Sequence, residues 1–153
     1  MQLTKTFSVD EYARGLESWA WLDLGGKTPL FASLFGDVFF DSEDGCWYLD
    51  TLEGELTRPW DSREAMEASL ATPDGQNQYL LGGLAMSAER SGITLGPSEV
   101  YDFAPPPILG GPLEVENITT MDFVVALNIA GQVHDRVRGL PPGTRITGFT
   151  IDG

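Results

Sequence analysis

Between Leu34 and Arg58 the chain alternates short apolar runs with turns too tight for anything but hairpins. Leu34 to Phe40 is apolar and aromatic, Asp41-Ser42-Glu43-Asp44-Gly45 reads as a turn, and Cys46 to Asp50 is a second strand. Glu53-Gly54 then turns the chain into Glu55 to Arg58. Strands joined this closely pair antiparallel, because parallel neighbours need a crossover of about a dozen residues. The segment therefore predicts a β-meander.

Helical signals flank it. Ser8-Val9-Asp10-Glu11 is a capping box, and Val9, Tyr12, Ala13, Leu16, Trp19 and Ala20 recur on one face, which predicts a helix over 8–20. Gly25-Gly26 and Pro29 end it and open a loop. Asp61, with Glu64 three residues on, is a candidate N-cap for a helix that stops before Pro73. Another helix is expected over 77–91, with Leu80, Leu81, Leu84, Ala85 and Ala88 facing the core and Gly92 closing it. Gly82-Gly83 inside that helix lowers propensity by ~1 kcal/mol per residue and points to close helix packing.

Pro105-Pro106-Pro107 fits neither a helix interior nor a central strand, so it reads as a rigid connector into the turn Leu109-Gly110-Gly111-Pro112. Met121, Phe123, Val125 and Leu127 alternate with Thr120, Asp122, Val124 and Ala126, the pattern of a buried strand over 118–127. Ala130 to Arg138 reads helical with Gly139 as its cap, and Ile146 to Ile151 as a weak final strand. The expected fold is a single α+β domain over 1–153. Its mainly antiparallel sheet joins the 34–58 meander to the 118–127 strand beneath three to four helices, and residues 1–30 form a lead-in helix and loop.

Charge is the second constraint. Nine Lys and Arg against 23 Asp and Glu leave a net charge of −14. Phosphate contacts need Lys and Arg, so direct nucleic-acid binding is disfavoured and a basic partner favoured. No basic residue lies between Lys27 and Arg58, a stretch holding Asp37, Asp41, Glu43, Asp44, Asp50, Glu53 and Glu55. A second such stretch, from Arg90 to Arg136, holds Glu99, Asp102, Glu114, Glu116, Asp122 and Asp135. Either is an ordinary solvated surface or a lure for a basic protein. The amino terminus lacks the apolar stretch of a signal peptide, and no apolar run reaches the ~18 residues of a membrane helix. A single cysteine, Cys46, forms no disulfide within the chain, and the expected compartment is the cytoplasm.

Catalytic constellations are hard to assemble. Asp41, Glu43 and Asp44-Gly45 lack the alternating ligands and distal glutamate of a calcium loop. The Gly-Gly pairs do not have phosphate-loop spacing. His134 and Cys46, one of each kind, make zinc an unpromising ligand and are read as structural. No cofactor, metal or catalytic residue is expected, and the sequon Asn117-Ile118-Thr119 is taken as accidental.

The order of words in the last third carries a resemblance. Val100-Tyr101-Asp102-Phe103-Ala104-Pro105-Pro106-Pro107-Ile108-Leu109-Gly110-Gly111 is followed by Glu116-Asn117-Ile118 and Met121-Asp122-Phe123. Gly131-Gln132-Val133-His134 and Leu140-Pro141-Pro142-Gly143-Thr144 come after, while Asp44 to Thr51 and Glu53-Gly54 fit earlier. This succession, spanning about Phe35 to Ile146, resembles the C-terminal domain of immunity proteins that accompany type VI secretion DNase toxins. Members often carry a separate N-terminal domain, where this chain has a short lead-in helix, so it resembles a stand-alone version. The resemblance implies a non-enzymatic bacterial protein that binds and neutralises a basic, nuclease-type toxin. The alternative is a regulatory or scaffolding interaction module of the same fold. The expected partner contacts are the turn acids Asp41, Glu43, Asp44, Glu53 and Glu55.

Overall fold

A computed structural model describes residues 1–141. The expected strand at 146–151 and the end of the Pro-Pro-Gly-Thr word lie outside the described residues. Strands are β1 (Thr4–Lys5), β2 (Thr28–Ser33), β3 (Val38–Ser42), β4 (Gly45–Asp50), β5 (Glu55–Trp60), β6 (Glu99–Phe103) and β7 (Ile118–Asp122). Helices are α1 (Val9–Leu16), α2 (Arg63–Leu70), α3 (Pro73–Leu80), α4 (Gly82–Arg90) and α5 (Phe123–Arg138). The fold is α+β: β1 to β5 form one antiparallel sheet in chain order, and β6 and β7 form a separate two-stranded ribbon.

The meander is buried on both faces. Val38 and Phe40 pack with Tyr12, Trp19, Phe123 and Leu127 on the α1 and α5 side. Phe39, between them, packs with Met66 and Leu80 on the α2 and α3 side. A strand presents alternate residues to opposite faces, so three consecutive apolar residues require cover on both. The ribbon hangs from the turn between β2 and β3, where Tyr101 N–H donates to Leu34 C=O at 2.7 Å. Its inner residues Tyr101, Phe103 and Ile118 join Leu34, Phe35, Ala85 and Ala88 in a third cluster.

Several sequence expectations need correction. The 118–127 strand stops at Asp122, and Phe123 opens a 16-residue helix that absorbs the one expected from Ala130. Its buried residues Phe123, Leu127, Gly131 and His134 follow helical spacing, whereas Val125 is 47% exposed. The run Phe123-Val124-Val125-Ala126-Leu127 suits either period; the Asp122 carboxylate, accepting from Val125 N–H at 3.1 Å, settles it as an N-cap. Nor does β7 join the meander, since its partner is β6.

Pro29 lies within β2 rather than in a loop, at a register shift between Pro29 and Phe31 that accommodates its missing N–H. Leu34 and Phe35 belong to the turn that follows, where Ser33 N–H donates to Asp37 C=O at 2.9 Å. Pro73 begins a helix instead of only ending one: Thr72 caps Gly75 N–H at 3.0 Å, and proline is well placed in a first turn. That helix and the next meet at Leu81, in the left-handed region at φ 49°, so 77–91 is two elements. The cap of α2 is Ser62 rather than Asp61, which pairs with Arg58 at 2.7 Å.

Candidate functional site

A cavity of about 300 Å³ opens where the ribbon, the proline connector and α5 converge on the end of the meander. One wall is Tyr101 to Ile108, a second is the α5 face of Ala126, Leu127, Ala130 and Val133, and the floor includes Phe35, Gly36, Thr51 and His134. The connector stands rigidly because Asn117 Nδ2 donates to Pro105 C=O at 2.9 Å and to Pro112 C=O at 3.1 Å. Gly111 sits so close to Pro105 that a Cβ would lie 1.7 Å from its carbonyl oxygen.

Beneath the floor runs a buried polar chain. His134 Nε2 lies 2.7 Å from Thr51 C=O. A carbonyl only accepts, so Nε2 carries the proton. Thr51 in turn donates its N–H and hydroxyl to Asp37 Oδ1 at 2.8 and 2.7 Å, while Ser33 Oγ donates to Oδ2 at 2.9 Å. Trp19 packs on the imidazole at 5.8 Å, and Gly54 covers its Nδ1 so tightly that a Cβ there would lie 2.5 Å away. An acid, a hydroxyl and an imidazole are thus neighbours, but not in nucleophile order. The hydroxyl points at Asp37 and only the backbone of Thr51 meets His134, so the imidazole is not placed to take the hydroxyl proton. The chain braces the 51–54 turn against α5.

Burial pushes the Asp37 carboxyl up from 3.8 to about 6, reinforced by Asp50 and opposed by the Thr51 and Ser33 donors. The folded chain therefore holds a proton that the unfolded chain releases between ~pH 4 and 6. Stability from this group is full below that window and is lost as pH rises through it, by roughly 3 kcal/mol. Urea unfolding of wild type and Asp37→Asn across pH 4–7 measures it. The stability difference, wild type minus variant, is expected to fall by up to that amount as pH rises from 4 to 6, and a flat difference would disprove the assignment.

The turn acids do not form one patch. Glu43 and Asp44 lie in the β3–β4 turn, Glu53 and Glu55 at the β4–β5 turn, and β4 separates them by ~17 Å. Glu43, Asp44, Glu53 and Glu55 are exposed, while Asp41 is half-buried beside the Cys46 thiol at 4.0 Å. Asp44 is locked into its own turn by Ser42 Oγ and by Trp47 Nε1 at 2.9 Å, and these donors hold its carboxyl below the usual range. Cys46 is fully buried, and that burial pushes its thiol up, away from nucleophilic thiolate. Among the described residues no group of three or more His, Cys, Asp or Glu is placed to hold a metal ion, and no helix is long and apolar enough to cross a membrane.

Sequence reasoning counted Asp37 with the surface acids and did not single out Thr51 or Asp102. The available signal was context: Asp37 interrupts the apolar run Leu34 to Phe40, and Asp102 sits between Tyr101 and Phe103. A lone acid between large apolar residues is half-buried or bonded more often than a turn acid is.

No curated protein matches the chain. A solved structure, the crystal structure of Atu4351 from Agrobacterium tumefaciens, superposes with a TM-score of 0.54 at 19% identity, over 85% of this chain. This chain spans 66% of that one, and the likeness is one of fold. From Arg63 to His134, the stretch that builds the connector wall and the α5 wall of the cavity, the chain matches the family described as T6SS immunity protein Tdi1, C-terminal, the family its order of words resembles.

Proposed function

We propose that this chain is the inhibitor of a basic, nuclease-type toxin delivered by type VI secretion, acting by binding alone. The family match over residues 63–134 carries the reading, because that family is one of type VI immunity proteins. The charge of −14 supports the finer part. A toxin that acts on nucleic acid presents positive potential to phosphate, and an acidic inhibitor is steered to the same surface and excludes substrate. The buried chain through Asp37, Thr51 and His134 serves the fold, which agrees with a role that needs no chemistry.

The test is co-expression with a type VI nuclease toxin sought among the genes adjacent to the one for this chain. Survival together with a stable complex on size exclusion is expected; toxicity undiminished by a folded chain, with no complex, would sink the proposal. The turn acids give a finer measurement. Neutralising Asp41, Glu43 and Asp44 together as Asn, Gln and Asn should slow association by roughly 3- to 10-fold at low salt and flatten its dependence on ionic strength. Unchanged rates and salt slopes would make the β3–β4 turn merely a solubilising surface.

A further inference from the structure

The cavity is apolar except at one point. Its lining contains no Lys or Arg, and its other polar side chains are engaged within the fold. Thr51 Oγ1 donates to Asp37, Tyr101 OH to Ile93 C=O at 3.3 Å, and His134 Nε2 to Thr51 C=O. Asp102 is the exception. Strand alternation puts it on the same face of β6 as Val100, which packs with Phe123 and Leu127 of α5, so it looks toward the α5 wall. It is half-buried, its carboxylate is met by Phe103 N–H, and no cation pairs with it among the described residues. Burial accordingly pushes its carboxyl up.

The turn that follows the connector exposes Leu109 at 37% and Leu113 at 48%, adding apolar surface next to the proline wall. An apolar cavity with one carboxylate in its wall, paired with no cation among the described residues, complements a long basic side chain. The stem of an arginine is aliphatic and its planar head pairs with carboxylate through two parallel hydrogen bonds. Such anchors, desolvated at the centre of a patch and ringed by apolar contacts, dominate binding energy at protein interfaces.

We propose that this cavity is the socket for an arginine (or lysine) of the partner protein. The stem lies along Ala126, Ala130 and Val133, and the cation meets Asp102. This rests on the reading of the chain as the inhibitor of a basic protein, and it locates the anchoring contact between the ribbon and α5, with the β3–β4 turn acids acting through long-range steering.

Two measurements separate the proposals. The first needs no toxin: titrate the full chain with N-acetyl-arginine amide at millimolar concentration, and with the neutral N-acetyl-citrulline amide, following backbone amides by NMR. Shifts at Asp102, Phe103, Ala130 and Val133 with arginine alone, lost in Asp102→Asn, are expected. No shift with arginine, or equal shifts with citrulline, overturns the socket. The second uses the toxin that the co-expression test identifies: Asp102→Asn should weaken the complex at least about 30-fold, chiefly through faster dissociation, because it strands a desolvated partner cation. An unchanged affinity for a variant that folds normally also overturns the socket while leaving the inhibitor reading intact. Arginine binding without any toxin complex would instead keep the socket and remove the inhibitor reading.

Discussion

Replacing Trp19 by alanine is expected to remove about 5 kcal/mol of stability, most or all of what a domain of this size has to lose. The ring is fully buried. It stands between the sheet and α5, stacked on Trp21 at 5.6 Å and packed on His134, and its Nε1–H donates to Leu127 C=O at 2.9 Å. Truncation leaves a void of nearly the whole indole and deprives a buried carbonyl of its extra donor, costing ~3–5 kcal/mol for the first and ~1 for the second. Trp19→Phe keeps most of the volume and loses the bond, so about 2 kcal/mol is expected. Urea unfolding decides: a loss under 2 kcal/mol for the alanine variant would mean that α5 collapses onto the sheet and fills the gap.

The second large effect is at Gly54. This residue has φ 71°, and a side chain there would meet His134 Nδ1 at 2.5 Å and Cγ at 2.6 Å. Gly54→Ala therefore combines left-handed strain of ~1 kcal/mol with overpacking of ~1–3 kcal/mol. His134→Ala alone should cost ~2–3 kcal/mol through a cavity and the lost bond to Thr51 C=O. The two losses should not add. With the imidazole gone the new methyl has room, so the double variant is expected to be at least 1 kcal/mol more stable than the sum predicts. Strict additivity would show that the 51–54 turn moves away from α5 without resistance, and that Gly54 matters only for its φ. The same cycle separates the roles of His134: a folded double variant that still binds its partner places the imidazole in the scaffold.

Gly131 shows the same logic one turn earlier on the same buried face of α5. A Cβ there would lie 2.9 Å from Ser18 C=O, which is how Trp19 and Trp21 come near enough to donate to the carbonyls of Leu127 and Gly131. The word Gly131-Gln132-Val133-His134 thus has a physical content. Gly131 lets the turn of helix after α1 approach, Val133 lines the cavity, and His134 holds the 51–54 turn.

What could be read directly from the sequence was local. The capping box at Ser8 closes as expected, with Glu11 N–H donating to Ser8 Oγ at 3.1 Å and Ser8 N–H to Glu11 at 3.0 Å. The hairpins at 43–44 and 51–54 follow from turn chemistry within a few residues, and Gly54 takes the positive φ that such a turn demands. The α+β class, the apolar character of the meander and the excess of acid are sums over neighbours, which a sequence displays openly. Tertiary structure decided everything that depends on which surface covers which. Phe123 to Leu127 is apolar at every position and satisfies periods of two and 3.6 alike, so its helix is selected by the Asp122 cap and by α1 and the sheet packing on one side of it. Asp37 and Asp102 look like other acids in the chain, and only the approach of Thr51 to the first and of α5 to the second makes one a buried brace and the other a half-buried carboxylate in the wall of an apolar cavity. Burial is a property of pairs of segments distant in sequence, and it sets the energy of a charge more strongly than the identity of its neighbours in the chain.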